Sequence, residues 1–478
     1  MNILYVTSEV YPFSMSGGLG DVLGALPKAV AKSRTNQVCV ISPLYSGVSD
    51  QWRSKMTYVK NIYIPLAWRN LYCGLFELKK NGVTYYFLDN EYYFRRGDMY
   101  GAFDDGERFA FFSRAVTCMM TEFGDWKPDI VHCNDWQTAL VPIYMRILHN
   151  GVPEYDAIKT VFTIHNIEYQ GRYDMALMGS VFGLPDTLVS GGTLEYMGGL
   201  SLMKGAIELS DAVTTVSPTY CEELSYSFFA KGLEGVVATQ RHKFSGILNG
   251  IDPKEYDPMT DPNLAVNYSF DTIEKKLTNK RDLQRLLGLS QNDNVPIVAM
   301  VSRLVAHKGI DLVAARLDGM MDLHLQFVLL GRGEWHYEHL FGGMQNNYPE
   351  RFSANISYNQ SLASKIFAGA DIFLMPSQSE PCGLAQMIAM RYGTLPVVRE
   401  TGGLKDTVIP QSPDSKDANG FTFANYNADD MMYVLHQATE MYKNKKAWRA
   451  LQKTGMNTDF SWTASAKKYT DLYKCLTK

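Results

Sequence analysis

The sequence predicts an α/β protein made of two doubly wound domains, on three observations. The chain has 478 residues, more than one ordinary core organises, so length favours two or three domains, and two large ones are expected. Short apolar runs alternate with longer helical patterns, the rhythm of βα units in parallel sheets. That rhythm lapses over residues 251–294, where clustered Pro and Asp precede one charged amphipathic helix. The boundary is therefore expected near Gly250, with domains over 1–250 and 251–455 and a helical segment, 456–478, packing back on the first. Two such domains facing each other would form a deep cleft, a favoured place for a ligand.

In order along the first half, the strand-like runs are NILYVT, VCVISP, TYYFLD, DIVHCND, TVFTIHN, AVTTVSP and FSGILNG. The second half contributes PIVAMVSR, LQFVLLGRG, DIFLMPS and LPVVRE. Most end in Gly, Asn, Asp, Ser or Pro, which puts polar loops at strand carboxyl ends, where open α/β sheets bind ligands. After the first run, Leu19, Val22, Leu23, Leu26 and Val30 keep helical spacing, so Gly17 and Gly18 stand at the turn entering a helix that Pro27 could bend.

Composition narrows the function. The chain is 46% apolar and 20% charged, a globular mix, and its formal net charge of −4 gives no electrostatic footprint for nucleic acid. Seven scattered cysteines with no CxxC pair argue against a disulfide framework or a zinc site. The first residues lack the basic start and apolar core of a signal peptide, and no run approaches a membrane span, so a cytoplasmic protein is expected.

Several stretches carry candidate chemistry. In SMSGGLGDV (14–22), a glycine turn at a helix start can present backbone N–H groups to an anion or a sugar hydroxyl, although Gly-Gly is also plain turn chemistry. In SRLVAHKG (302–309), Arg303 and Lys308 follow a strand and could clamp a diphosphate; a solvated basic pair is the bland reading. In DIFLMPSQSEPCGL, Glu380 with Cys382 and Gly383 at a helix start could orient sugar hydroxyls, and a carboxylate complementing the helix dipole is the alternative. Cys382 reads as a small loop residue, since no base is marked out for it. His165 closes the run TVFTI and can reach a ligand from that edge. His132, Asp135 and Trp136 lack a third partner at metal-ligand spacing. Tyr358, ending the strand-like ANISY, could stack on a nucleobase or simply pack. Asp104, Asp105, Glu107 and Arg108 read as a surface turn entering a helix.

Taken in order, these stretches resemble the bacterial glycogen synthases and plant starch synthases. The resemblance runs nearly end to end and includes SEVYPFSMSGGLGDVLGALPKA, YGAFDDGERFAFFSRA, VHCNDWQTALVP, TVFTIHNIEYQG, SGILNGID, VSRLVAHKG, SEPCGLAQMIAMRYG and ETGGLKDTV. It implies two Rossmann-like domains of the GT-B architecture and glucose transfer from ADP-glucose to an α-1,4-glucan with retention. It further implies that Arg303 and Lys308 hold the diphosphate, while Glu380 and the backbone of Cys382, Gly383 and Leu384 hold glucose hydroxyls. His165 and Asp21 would face sugar and acceptor, Tyr358 would lie near the adenine, and Asp104 and Asn249 would line the cleft. ADP-glucose is then a substrate, and neither cofactor nor metal is expected.

Four positions depart from that family's pattern, Met15, Ala385, Gln378 and Ser379. Its glycine turn reads Lys-x-Gly-Gly, and here the lysine position is Met15. Losing one preorganised donor of that kind costs about 2.7–4 kcal/mol in comparable sites. Ala385 stands where a Thr or Ser hydroxyl is usual, and Gln378 and Ser379 precede Glu380 where Arg-Phe is common. The departures leave two other readings open: a related transferase using UDP-glucose or another sugar nucleotide, and a catalytically weak glucan-binding protein. Another lysine, such as Lys204 or Lys231, could also supply the missing charge.

Overall fold

The computed structural model describes residues 1–33, 35–412 and 415–478. Two compact units are present, one comprising Met1–Gly250 with Trp462–Lys478 and the other Ile251–Ser461.

The first unit is built on a nine-stranded sheet. Its spatial order is Phe244–Gly246, Ala212–Thr215, Lys159–Ile164, Ile130–Asn134, Asn2–Val6, Gln37–Pro43, Val83–Asp89, Arg69–Lys80 and Thr57–Leu66. The first seven are parallel. Numbered along the chain, those seven lie in the order 3-2-1-4-5-6-7, so the topology reverses between Asn2–Val6 and Ile130–Asn134. Central strands such as NILYV are buried on both faces, which is why they read as continuous apolar runs. The last two strands form an antiparallel hairpin that the βα rhythm does not reveal: TYVKNIYIPL and RNLYCGLFELKK mix polar and apolar residues because one side meets solvent.

The second unit carries six parallel strands in the order Phe352–Asn355, Gln326–Leu330, Ile297–Val301, Ile372–Met375, Leu395–Arg399 and Phe421–Phe423. Along the chain this is 3-2-1-4-5-6, the order of a doubly wound dinucleotide-type sheet, with its reversal between Ile297–Val301 and Ile372–Met375. Two doubly wound α/β units are thus the observed fold class.

The final helix, Trp462–Leu476, belongs to the first unit, where Trp462, Ala466, Tyr469 and Tyr473 join the core around Ile3, Tyr5 and Leu23. A buried polar chain anchors it: Tyr5 OH meets Tyr473 OH at 2.9 Å, which meets His132 Nδ1 at 2.7 Å, while His132 Nε2 meets Thr163 Oγ1 at 2.5 Å. Burial pushes His132 down to about 3, so the imidazole is neutral there. Residues 456–461 stay with the second unit, where Phe460 O accepts from Ile251 N at 2.8 Å. The returning segment therefore starts at Trp462, shorter than the expected 456–478.

Candidate active site

Each sheet gathers candidate residues on the loops at its topological reversal, where a doubly wound sheet leaves a crevice. The two groups are described separately.

In the first unit, Thr7 to Gly17 leave the strand Asn2–Val6 and lead into the helix Gly18–Ala31. Glu9, 3% exposed, organises the turn. Its Oε2 accepts from Ser16 N at 2.6 Å and Gly17 N at 3.1 Å, and its Oε1 accepts from Ser16 Oγ at 2.8 Å and Tyr100 OH at 2.7 Å. Gly17 is extended at φ −163°, and a Cβ at Gly17 or Gly18 would meet no atom of the described residues within 4 Å. The packing of the described residues therefore does not demand glycine at either position. Met15, 38% exposed, lies against Gly20, where an added Cβ would come 2.6 Å from Met15 Cγ and 3.3 Å from Glu9 Oε2. Asp21 sits in the first helical turn, where a carboxylate complements the dipole.

The loop after Lys159–Ile164 holds His165, beside Asn134 and Asp135 at the end of the neighbouring strand Ile130–Asn134. Asn134 Nδ2 donates to Val6 O and His132 O at 3.1 and 3.2 Å, which leaves its Oδ1 as the acceptor facing His165 Nε2 at 3.0 Å. His165 Nε2 therefore carries the proton, and burial pushes the ring down to about 3, so it is neutral at pH 7. Asp135 Oδ1 accepts from His165 N at 2.8 Å and Asn166 N at 3.4 Å. Asp135 itself is held at φ 58°, ψ 178°, a region costing a non-glycine residue about 1–3 kcal/mol. Burial pushes its carboxyl up to about 7, against the pull of those two N–H groups. A raised carboxyl pKa means the folded state gives up stability as pH rises from the unfolded value, near 4, through 7. Asp135→Asn keeps the acceptor oxygen and lacks the charge, so its melting temperature should exceed the wild-type value by more at pH 8 than at pH 5. An equal difference at the two pH values in calorimetry would show that the ionised carboxylate costs nothing.

Other first-unit candidates are placed as follows. Asp104 precedes the helix Asp105–Met119 and pairs through both oxygens with Arg96, 2.6 Å at Oδ2; the Arg96 hydrogen bonds hold its pKa below the usual carboxylate range. Asn249 is 5% exposed, and its Oδ1 has no hydrogen-bond partner among the described residues. Lys204 is committed to the fold, donating to Glu195 O at 2.7 Å and to Gly192 O, while Lys231 lies 3.4 Å from Glu168. A hollow of about 560 Å³ opens beside Trp136, lined also by Glu168, Tyr169, Arg172, Tyr173 and Lys231.

In the second unit, Lys308 Nζ donates to both oxygens of Glu380, at 2.8 and 2.6 Å, and Ser377 Oγ donates to Oε2 at 3.1 Å. Glu380 is 6% exposed. Arg303 is exposed, and its guanidinium makes no hydrogen bond or ion pair among the described residues. The two loops touch at Gly309, whose φ of 75° and bareness are both required, since a Cβ would lie 2.0 Å from Pro376 O.

Cys382 is buried, Gly383 is left-handed at φ 71°, and Leu384 leads into the helix Ala385–Arg391. No side chain caps that helix, and Ala385 has no oxygen to do so, which leaves first-turn N–H groups for a ligand. Fully buried Gln386 pins the loop by donating to Cys382 O at 3.2 Å, Gly383 O at 2.9 Å and Thr407 Oγ1 at 3.1 Å. Beneath it, Gly403 N donates to Glu380 O and Pro381 O, both at 3.2 Å.

Tyr358 corrects the sequence reading. The strand ends at Asn355, so Tyr358 lies in the following loop, 80% exposed, instead of closing a strand.

Glu9, Tyr100, Arg96, Asn134 and Gln386 escaped the sequence reading. Glu9 stood in plain view within SEVYPFSMSGG, but its turn lies seven residues on and Tyr100 ninety-one residues on. Among the described residues, no group of three or more His, Cys, Asp or Glu is arranged to hold a metal ion, and no helix is long and apolar enough to cross a membrane.

Known proteins share the fold of both units. Residues 2–239 match the family described as the starch synthase catalytic domain, and residues 288–454 match glycosyl transferases group 1. A glycogen synthase of Desulforamulus reducens is 45% identical over 476 residues, covering 100% of this chain and 99% of that protein. One from Clostridium perfringens is 45% identical over 478 residues, covering 100% and 99%. The catalytic domain of starch synthase IV from Arabidopsis thaliana, bound to ADP and acarbose, superimposes with a TM-score of 0.91 at 34% identity, covering 99% of each chain. With full-length identity of this size and the same fold throughout, the chain belongs to the glycogen synthase and starch synthase family and is a glycosyltransferase.

Proposed function

We propose that the protein transfers glucose from ADP-glucose to the non-reducing 4-hydroxyl of an α-1,4-glucan, with retention of the α configuration. The observation that carries this reading is the pairing of Lys308 with buried Glu380, with exposed Arg303 on the same loop as Lys308 and without a side-chain partner among the described residues, at the reversal point of a dinucleotide-type sheet. The starch synthase relative was bound to ADP and acarbose, which supports an adenine nucleotide and a glucan.

In this reading, Arg303 and Lys308 take the diphosphate and stabilise the charge that grows on it as the glucosyl bond breaks. Glu380, oriented by Lys308 and Ser377, accepts glucose hydroxyls, and the uncapped turn at Gly383 and Leu384 donates to others. A retaining glycosidase needs two carboxyl groups about 5–5.5 Å apart; Glu380 has a lysine against it instead. ADP therefore leaves on the face that the acceptor enters, and its phosphate oxygen receives the acceptor's proton. Neutral His165 contributes backbone dipole without titrating near pH 7. The hollow at Trp136 and Tyr173 offers aromatic faces and polar groups suited to a sugar chain. No cofactor is invoked.

Steady-state transfer of labelled glucose to glycogen from ADP-glucose and from UDP-glucose, with wild type and Met15→Lys, tests this. Wild type should turn over, prefer ADP-glucose at least tenfold, and change by less than tenfold on Met15→Lys, because Glu9 holds the turn whatever stands at position 15. Preference for UDP-glucose would assign the other donor. Transfer seen only after Met15→Lys would mark the natural chain as a glucan-binding homologue.

A further inference from the structure

We propose that Glu9 and Tyr100 form one positioning unit that sets the glycine turn, residues 14–18, and the loop 99–104 together; this rests on the glycosyltransferase reading above. Buried Glu9 is not joined to any cation within 4 Å among the described residues, so four hydrogen bonds alone compensate its carboxylate. A buried carboxylate is costly unless its acceptor sites are filled. Here the four donors come from two loops far apart in sequence, which makes the carboxylate a joint between them.

The second loop is held as firmly as the first. Tyr100 OH donates to Glu9 Oε1 and lies 2.8 Å from Ser8 Oγ, which then donates to it. Asp105 accepts from Gly101 N at 2.8 Å and Ala102 N at 3.1 Å, and fully buried Arg108 pairs with Asp105 at 2.8 Å and donates to Met99 O. Asp104 follows directly and is clamped by Arg96. A shift of the glycine turn is thus passed through one carboxylate to the loop carrying Asp104. Displacements near 1 Å at a reacting centre cost about 100-fold in rate, so shared placement of these loops bears on turnover. The joint also explains how the turn keeps its form with Met15, since Glu9 grips the backbone at Ser16 and Gly17.

The side chains dictate an order among variants. Glu9→Gln can put its carbonyl toward Ser16 N and Gly17 N, which only donate, and its amide toward the hydroxyls of Ser16 and Tyr100, which can accept. Glu9→Leu removes every bond, and Tyr100→Phe removes only those of its hydroxyl. The experiment measures kcat and KM with ADP-glucose and glycogen, alongside amide hydrogen exchange of the ligand-free full chain. Tyr100→Phe should lower kcat about tenfold, leave KM for ADP-glucose within twofold, and speed exchange in residues 14–18 as well as in 99–104. Glu9→Gln should stay within a few-fold of wild type, and Glu9→Leu combined with Tyr100→Phe should be no slower than Glu9→Leu alone. Faster exchange confined to 99–104 in Tyr100→Phe, or multiplying losses of kcat in the double variant, would overturn the proposal. Should wild type show no glucosyl transfer, the function proposed above fails while exchange at 14–18 still decides whether the joint exists.

Discussion

Lys308→Ala should lower kcat about 100- to 1000-fold, the loss of about 2.7–4 kcal/mol seen when one preorganised charge-stabilising donor is removed. It should also weaken the second unit, because Glu380 is 6% exposed and would keep only the Ser377 hydroxyl of its two side-chain partners. Removing one member of a buried pair costs about 3–5 kcal/mol; with Lys308 still 18% exposed at its side chain, the lower end applies. For a unit of this size that is a fall of roughly 6–12 °C in melting temperature. Arg303→Ala is the contrasting case. Its guanidinium touches no described partner, so activity should fall without a change in melting temperature. Calorimetry and initial rates on both variants check this. Equal melting-temperature losses would show that Arg303 has a structural partner in solution, and full activity in both would remove the diphosphate clamp from the mechanism.

Gly309→Ala should destabilise the second unit by about 2–5 kcal/mol, combining the left-handed backbone penalty with overpacking. The position has φ 75°, and an added Cβ would sit 2.0 Å from the backbone oxygen of Pro376, which cannot move without shifting the loop that leads to Glu380. Gly17→Ala and Gly18→Ala should behave in the opposite way. An added methyl meets nothing at either site, so melting temperature should hold within about 1 °C while transfer from ADP-glucose drops. On this expectation the same residue type answers to the fold at one loop and to a ligand at the other. Unchanged kinetics in both first-unit variants would mean that nothing approaches the turn, and the pair would revert to ordinary turn chemistry.

Much of this was legible in the residues. The run NILYV is apolar throughout because its strand is covered on both faces, and LQFVLLGRG and DIFLMPS read the same way for the same reason. The hairpin Thr57–Leu66 and Arg69–Lys80 was not, because a strand with one face in solvent alternates and breaks the βα rhythm. Tyr358 was misplaced by three residues, since ANISY stays β-like past the point where the ladder ends at Asn355. Resemblance picked out Arg303, Lys308, Glu380 and His165, but it carried no information about which of them are already engaged.

By itself, the sequence determined two doubly wound sheets, their division near Gly250 and the loops at strand carboxyl ends where candidate residues gather, because periodicity and strand-end residues are local properties of the chain. Only the tertiary structure decided that Glu380 holds Lys308 while Arg303 has no side-chain partner among the described residues, that Glu9 grips the glycine turn, and that Lys204 is spent on the backbone at Gly192 and Glu195. Glu380 and Lys308 are 72 residues apart, and Glu9 and Tyr100 are 91. Pairings across such separations arise when parallel strands bring their carboxyl ends to one edge, and no local pattern records which side chains then meet.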